Sequence, residues 1–115
     1  HDNTTLTAWW DESASAKEKA AAAAYLHLTG CQPTAKEVAA VKTEAARTAL
    51  LRAALGSVAD RAIIPMADWL GLGEEAHLNS PGKLGGNWSW RAADGFDTAV
   101  LAKRILAECA VYCRT

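Results

Sequence analysis

The chain lacks most features that would tie it to a membrane or to nucleic acid. No apolar run approaches the roughly 20 residues that a membrane span needs. No basic segment followed by an apolar one marks a signal peptide. Neither sign of charge prevails: 12 basic side chains face 13 acidic ones, for a net charge of -1. A nucleic-acid or membrane-surface binder would show a basic patch, so that balance argues against both partners. There are only three cysteines, Cys31, Cys109 and Cys113, an odd number without paired spacing. This fits free thiols in a reducing compartment. His27 with Cys31, and Cys109 with Cys113, are each four apart, but the two pairs follow no established zinc spacing, and no metal site is expected. There is also no phosphate loop, no dinucleotide-binding fingerprint, no HExxH and no convincing Ser-His-Asp arrangement.

At 115 residues the chain has the size of one domain, and half of it is hydrophobic. Much of that half is alanine, which buries little area per residue. Ala14 to Leu28 is alanine-rich and free of glycine and proline, which predicts a helix capped by Asp11 or Ser13 and stopped by Gly30. Thr34 with Glu37 forms a capping box for a second helix. Its apolar stripe of Val38, Val41, Ala45, Thr48, Leu51, Leu55 and Val58 predicts one helix over more than five turns. Ala62 to Met66 reads as a short buried strand ended by Pro65, and Ala67 to Leu70 as a helical turn. Asp97 or Thr98 caps a last helix, Ala99 to Cys113, with Leu101, Ile105, Cys109 and Tyr112 on one side. The order is helix, helix, short strand, long loop, helix, and no internal repeat is present.

The long loop, 71–91, is the most distinctive stretch. Five glycines and a proline keep it irregular, and two indoles, two amides, a histidine and a guanidinium sit among them. Glycine lets a backbone approach a ligand, and Trp offers a flat apolar face with one donor. Sugars present apolar C–H faces rimmed by hydroxyls, so such a loop suits a carbohydrate. At the other end His1 adjoins Asp2, a carboxylate able to stabilise the positive charge of an oxocarbenium-like transition state. Glu74 and Glu75 are the other acids placed for a site. The remaining ones, such as Glu12, Glu18, Glu37 and Glu44, lie on helical faces among Lys and Arg and read as solvated surface.

Two separated motifs resemble one family. HDNTTLTAWW is similar to the HDxxTxxGWW segment of 4-alpha-glucanotransferases of the amylomaltase (disproportionating enzyme) type. AIIPMADWLGLGEEAHLNSPGKLGGNWSWR is similar to their C-terminal PxQDxLGLGxEARMNxPGTxxGNWxWR segment, with Leu70–Gly73, Asn79, Pro81–Gly82 and Gly86–Arg91 in register. The resemblance covers essentially the whole chain, most weakly over 11–50 and 92–115. It implies an α/β fold, the C-terminal part of a (β/α)8 TIM barrel of the α-amylase clan from the end of strand seven to helix eight, with Ala62–Met66 as the eighth strand. It implies that residues 1–115 form one C-terminal fragment of the catalytic barrel, a reading that the absence of an initiator Met also suggests.

By carry-over, Asp2 is the transition-state stabiliser and His1 the adjoining sugar-binding histidine. Asn79, Asn87, Trp88 and His77 border the substrate. His77 stands where the family usually has Arg, Leu78 where it has Met, Ala67 where it has Gln and Ala8 where it has Gly. The family's nucleophilic Asp and acid/base Glu lie upstream, and no residue here matches them. The resemblance therefore implies a parent enzyme that passes α-1,4-glucan segments between malto-oligosaccharides, with glucose as acceptor and no cofactor. It also implies a cytoplasmic location, or a plastid one in a plant or alga, and a fragment inactive without the remainder of the barrel. The alternative is a small helical binding module without catalysis or affinity for glucan.

Overall fold

The computed structural model describes residues 1–115, and every regular element in it is helical. Helix α1 (Leu6–Ala8) runs into a π-helical turn, Trp9–Ser13; α2 (Ala16–Tyr25), α3 (Ala35–Ala39), α4 (Thr43–Leu55) and α5 (Met66–Leu70) follow, then a 3-10 turn at Glu74–Ala76 and α6 (Ala99–Val111). No helix is long and apolar enough to cross a membrane.

The helix starts are local. The Thr5 hydroxyl caps α1, and Thr98 caps α6. Ser15 caps α2 with Glu18, and Thr34 caps α3 with Glu37, each a reciprocal capping box. The cap of α2 is therefore neither Asp11 nor Ser13. Trp9–Ser13 forms the π turn instead, and Asp11 accepts from the Thr43 hydroxyl at 2.5 Å, which ties that turn to the start of α4.

The helix ends are decided by packing. Helix α2 stops at Tyr25, well before Gly30, because His27 adopts the left-handed conformation (φ 57°). The Leu28 amide then bonds back to the Ala23 carbonyl at 2.9 Å and the His27 amide to Ala24 at 3.1 Å, a Schellman closure. That closure turns Leu28 onto a small core of Trp10, Ala23 and Ala46. Val41 packs on the same core, and here the expected single long helix breaks into α3 and α4 across 40–42. No glycine or proline marks the break; the docking of Val41 decides it. Gly71 and Cys113 close α5 and α6 by the same Schellman pattern, with φ 72° and 54°.

The expected strand at Ala62–Met66 does not form. Residues 61–64 enter no backbone hydrogen bond, and Met66 already belongs to α5. A strand exists only as part of a ladder, and no other segment of the chain offers one. Ala62, Ile64 and Met66 instead pack against a second core of Leu51, Leu55 and Trp69, which α6 covers with Leu101, Ile105 and Cys109, joined by Tyr112 just past its end. Arg52 and Glu108 join α4 to α6 through paired hydrogen bonds of 2.9 and 2.7 Å. Trp10 is buried, whereas Ile63 is 90 % exposed.

One polar knot fixes the frame of the site. The buried Arg47 guanidinium donates to the carbonyls of Asp68 (2.8 Å) and Trp69 (3.2 Å) at the end of α5, the second of which the helix end would otherwise leave unpaired. The buried Asp68 carboxylate accepts from the Leu6 amide at 2.8 Å. Burial pushes the Asp68 carboxyl above its ordinary value, opposed by that amide and by Arg47. The segment just after Asp2 is thereby pinned to the helix just before the glycine-rich loop.

Candidate active site

The two ends of the resemblance meet in space. The Asn79 side-chain amide donates to Asp2 Oδ1 at 2.6 Å across a sequence separation of 77. His1 Nε2 lies 2.9 Å from the same oxygen. The carboxylate is 54 % exposed, and its Oδ2 has no protein partner, so a charged oxygen faces solvent and any ligand. The His1 and Trp88 rings lie against each other at 4.9 Å between centroids, tilted by 41°.

Local chemistry shapes the tryptophan loop. Gly82, Gly85 and Gly86 all have positive φ, and Trp88 itself has φ 60°. The Trp88 amide bonds to the Leu78 carbonyl at 2.6 Å, closing the loop on itself. Asn87 serves that closure: its Oδ1 accepts from the Ser80 amide at 2.9 Å and its Nδ2 donates to the Lys83 carbonyl at 3.2 Å. The result leaves the Trp88 indole 54 % exposed beside His1. An exposed indole next to an imidazole and a carboxylate can stack on the apolar face of a sugar while its hydroxyls meet the polar groups.

His77 sits behind Asp2. Its Nδ1 is 2.7 Å from Glu74 Oε1 and its Nε2 is 3.0 Å from the Asp2 carbonyl oxygen. Its side chain is 12 % exposed. The Thr4 hydroxyl donates to the other oxygen of Glu74. The hydrogen bond from Thr4, then that from His77, holds the Glu74 carboxyl below its ordinary value; Glu74, then the Asp2 carbonyl, raises His77 above its own.

A cleft of about 430 Å³ adjoins this group, lined by His1, Asn3, Ile63, Leu78 and Trp90 among others. Five of the six sequence-designated residues are in contact, His1, Asp2, His77 and Asn79 with one another and Trp88 with His1; Asn87 instead braces the loop through Ser80 and Lys83. Sequence reasoning named Glu74, with Glu75, as a possible site acid, and its spacing of three from His77 across a turn is the signal that pairs them. It passed over Thr4, whose contact spans 70 residues and leaves no local trace. No group of three or more His, Cys, Asp or Glu is placed to hold a metal ion.

Comparison with known proteins bears on the family. The sequence profile of the 4-alpha-glucanotransferase family matches residues 1–97. A 4-alpha-glucanotransferase of Clostridium butyricum is 36% identical over 114 residues, 99% of this chain and 21% of that protein. The Thermus thermophilus 4-alpha-glucanotransferase is 40% identical over 83% of this chain and 17% of its own. A chloroplastic/amyloplastic 4-alpha-glucanotransferase of Arabidopsis thaliana is 40% identical over 79% of this chain and 14% of its own. The fold is similar to that of an amylomaltase from Streptococcus agalactiae solved in complex with acarbose, with a TM-score of 0.77 at 24% identity, over 99% of this chain and 20% of that one. The chain spans only 14% to 21% of the length of these relatives. With both motifs in register, their residues in contact and the profile matching 97 of 115 positions, the chain belongs to the 4-alpha-glucanotransferase family.

Proposed function

We propose that the chain is one C-terminal fragment, residues 1–115, of a catalytic (β/α)8 barrel, from the end of its seventh strand to its eighth helix. The intact protein transfers α-1,4-glucan segments between malto-oligosaccharides by a retaining double displacement, with glucose among the acceptors. Asp2 stabilises the positive charge that develops at the anomeric carbon. His1 donates to sugar hydroxyls, Trp88 stacks on a sugar face, and Asn79, Asn87 and His77 complete the wall that holds the glucan. A nucleophile and an acid/base come from elsewhere in the intact protein, because the chain has no residue matching either. The chemistry needs only carboxyl groups, so no cofactor is invoked. The compartment is the cytoplasm, or a plastid in a plant or alga, which suits three free cysteines.

The observation that carries this reading is the Asp2 carboxylate, fixed by Asn79 beside His1 and Trp88 with one oxygen free. Incubation of the intact protein with maltotriose tests it. The expected result is a ladder of shorter and longer products, with kcat lowered by about 10²- to 10³-fold in Asp2→Asn, and no turnover by residues 1–115 alone. Full activity of Asp2→Asn, or disproportionation by the 115-residue chain alone, would overturn it.

A further inference from the structure

Both ring nitrogens of His77 end on oxygens that accept. Nδ1 faces the Glu74 carboxylate at 2.7 Å and Nε2 faces the Asp2 carbonyl at 3.0 Å. A neutral imidazole carries one N–H and can satisfy only one of them; the imidazolium carries two. Neither acceptor can become a donor in exchange. A carbonyl has no proton, and the hydrogen bonds from Thr4 and His77 hold the Glu74 carboxyl below its ordinary value, so at neutral pH it is a carboxylate that only accepts. We propose that His77 is a positioning residue that works as an imidazolium: it holds the main chain of Asp2 by its carbonyl while Asn79 holds the carboxylate, and loss of its proton frees the Asp2 backbone. The proposal rests on reading Asp2 as the transition-state stabiliser and adds a pH-dependent control of that residue.

The direction of release follows from bond strength. On deprotonation His77 keeps the charge-assisted bond to Glu74, so Nδ1 retains the hydrogen. Nε2 then turns a lone pair toward the Asp2 carbonyl, and attraction becomes repulsion. The charged groups around His77 come from three segments. Glu74 on the 3-10 turn favours the imidazolium, as does the Asp2 carbonyl on the N-terminal segment, whose carboxylate is in turn held by His1 and Asn79. Lys83 on the loop opposes it. The balance lifts His77 above its ordinary 6.5. Asp2 acts on charge that exists only in the transition state, so losing its position lowers kcat and leaves KM nearly unchanged.

The test uses the intact protein with maltotriose, measured from pH 5 to 9, as wild type, His77→Gln and His77→Arg. The wild-type kcat is expected to fall on the alkaline side by up to about a hundredfold, along a limb with an apparent pKa above 6.5. Arg keeps its charge and its donors and should abolish that limb; Gln is uncharged and cannot direct donors to both acceptors at once, so its kcat should stay near the wild type's alkaline level across the range. In protein labelled with 15N-histidine, the signal lost in His77→Gln should show both nitrogens protonated at pH 6, and in uniformly 15N-labelled protein the Asn79 side-chain amide should shift with the same midpoint. An alkaline limb that survives in His77→Arg, a neutral His77 at pH 6, or an Asn79 amide indifferent to the titration would overturn the proposal. Absence of any glucan turnover would overturn the proposed activity instead, and the nitrogen spectra would still decide the state of His77.

Discussion

Asp2 carries the charge of the site, and Asn79 decides where that charge points. Replacing Asn79 with Asp sets two carboxylates at 2.6 Å, where both cannot stay ionised. The expected outcome is a raised carboxyl pKa at this pair, read by 13C NMR of the carboxyl carbons, and a loss of kcat at neutral pH that acidification does not restore. The Glu74–His77 pair makes its own contribution to stability. His77 is raised from 6.5, so its contribution is complete below that value and disappears as pH rises through its folded pKa. Glu74 is lowered from 4.5, so its contribution is complete above that value and disappears as pH falls through its folded pKa. Both are fully present between pH 4.5 and 6.5. Urea midpoints measured across pH should decline on the alkaline side of that window in the wild type and lose this component in His77→Gln. At this scale the sequence pointed to Asp2, His1 and Asn79 through the family motifs. Glu74 with His77 was visible only as a spacing, and Thr4 not at all, because its partner lies 70 positions away.

The elements owe their starts to capping side chains and their stops to what they pack on. Truncating Thr34 to Ala removes the hydroxyl that accepts from the Glu37 amide and donates to its carboxylate and should cost about 1 kcal/mol, seen as a lower urea midpoint with reduced far-UV helicity. Gly71 is more demanding than the loop glycines. It has φ 72°, and a Cβ there would come within 2.9 Å of the Arg47 guanidinium carbon. Gly82 has a similar φ, 83°, but open space around it. Gly82→Ala should therefore cost only the left-handed penalty, roughly 1–2 kcal/mol. Gly71→Ala adds displacement of Arg47 from the Asp68 and Trp69 carbonyls and should cost measurably more in the same denaturation assay. The caps at Thr34 and Thr98 were legible because a cap is a bond between neighbours in sequence. The break at 40–42 and the early end of α2 were not, since Val41 and Leu28 obey a core assembled from distant segments.

The molecule as a whole buries little. Only 12 of 115 residues are buried, and none of the large side chains is fully enclosed. Helix α6 has no buried residue, and Ile63, Leu84, Val100, Leu106 and Val111 stand open. Exposed apolar surface on this scale favours association over a solitary folded state. The 115-residue chain in isolation should bind a hydrophobic dye and sediment with a mass that rises with concentration. Ile63→Lys, a change at a position that contributes nothing to either core, should weaken both signals while leaving far-UV circular dichroism unchanged. A monomer of constant mass with no dye binding would contradict this expectation.

Local chemistry written in the sequence determined the caps, the irregular glycine-rich loop, the apolar side of α6 and the motif residues that identify the family. These depend on bonds and dihedral preferences within a few residues. Tertiary structure alone decided that Asp2 and Asn79 touch, that His77 has an acceptor on each nitrogen, that one apolar stripe became two helices and that Ala62–Met66 stayed unpaired. Each of those outcomes needs a partner brought from far along the chain, and periodicity within a segment carries no record of which partner arrives.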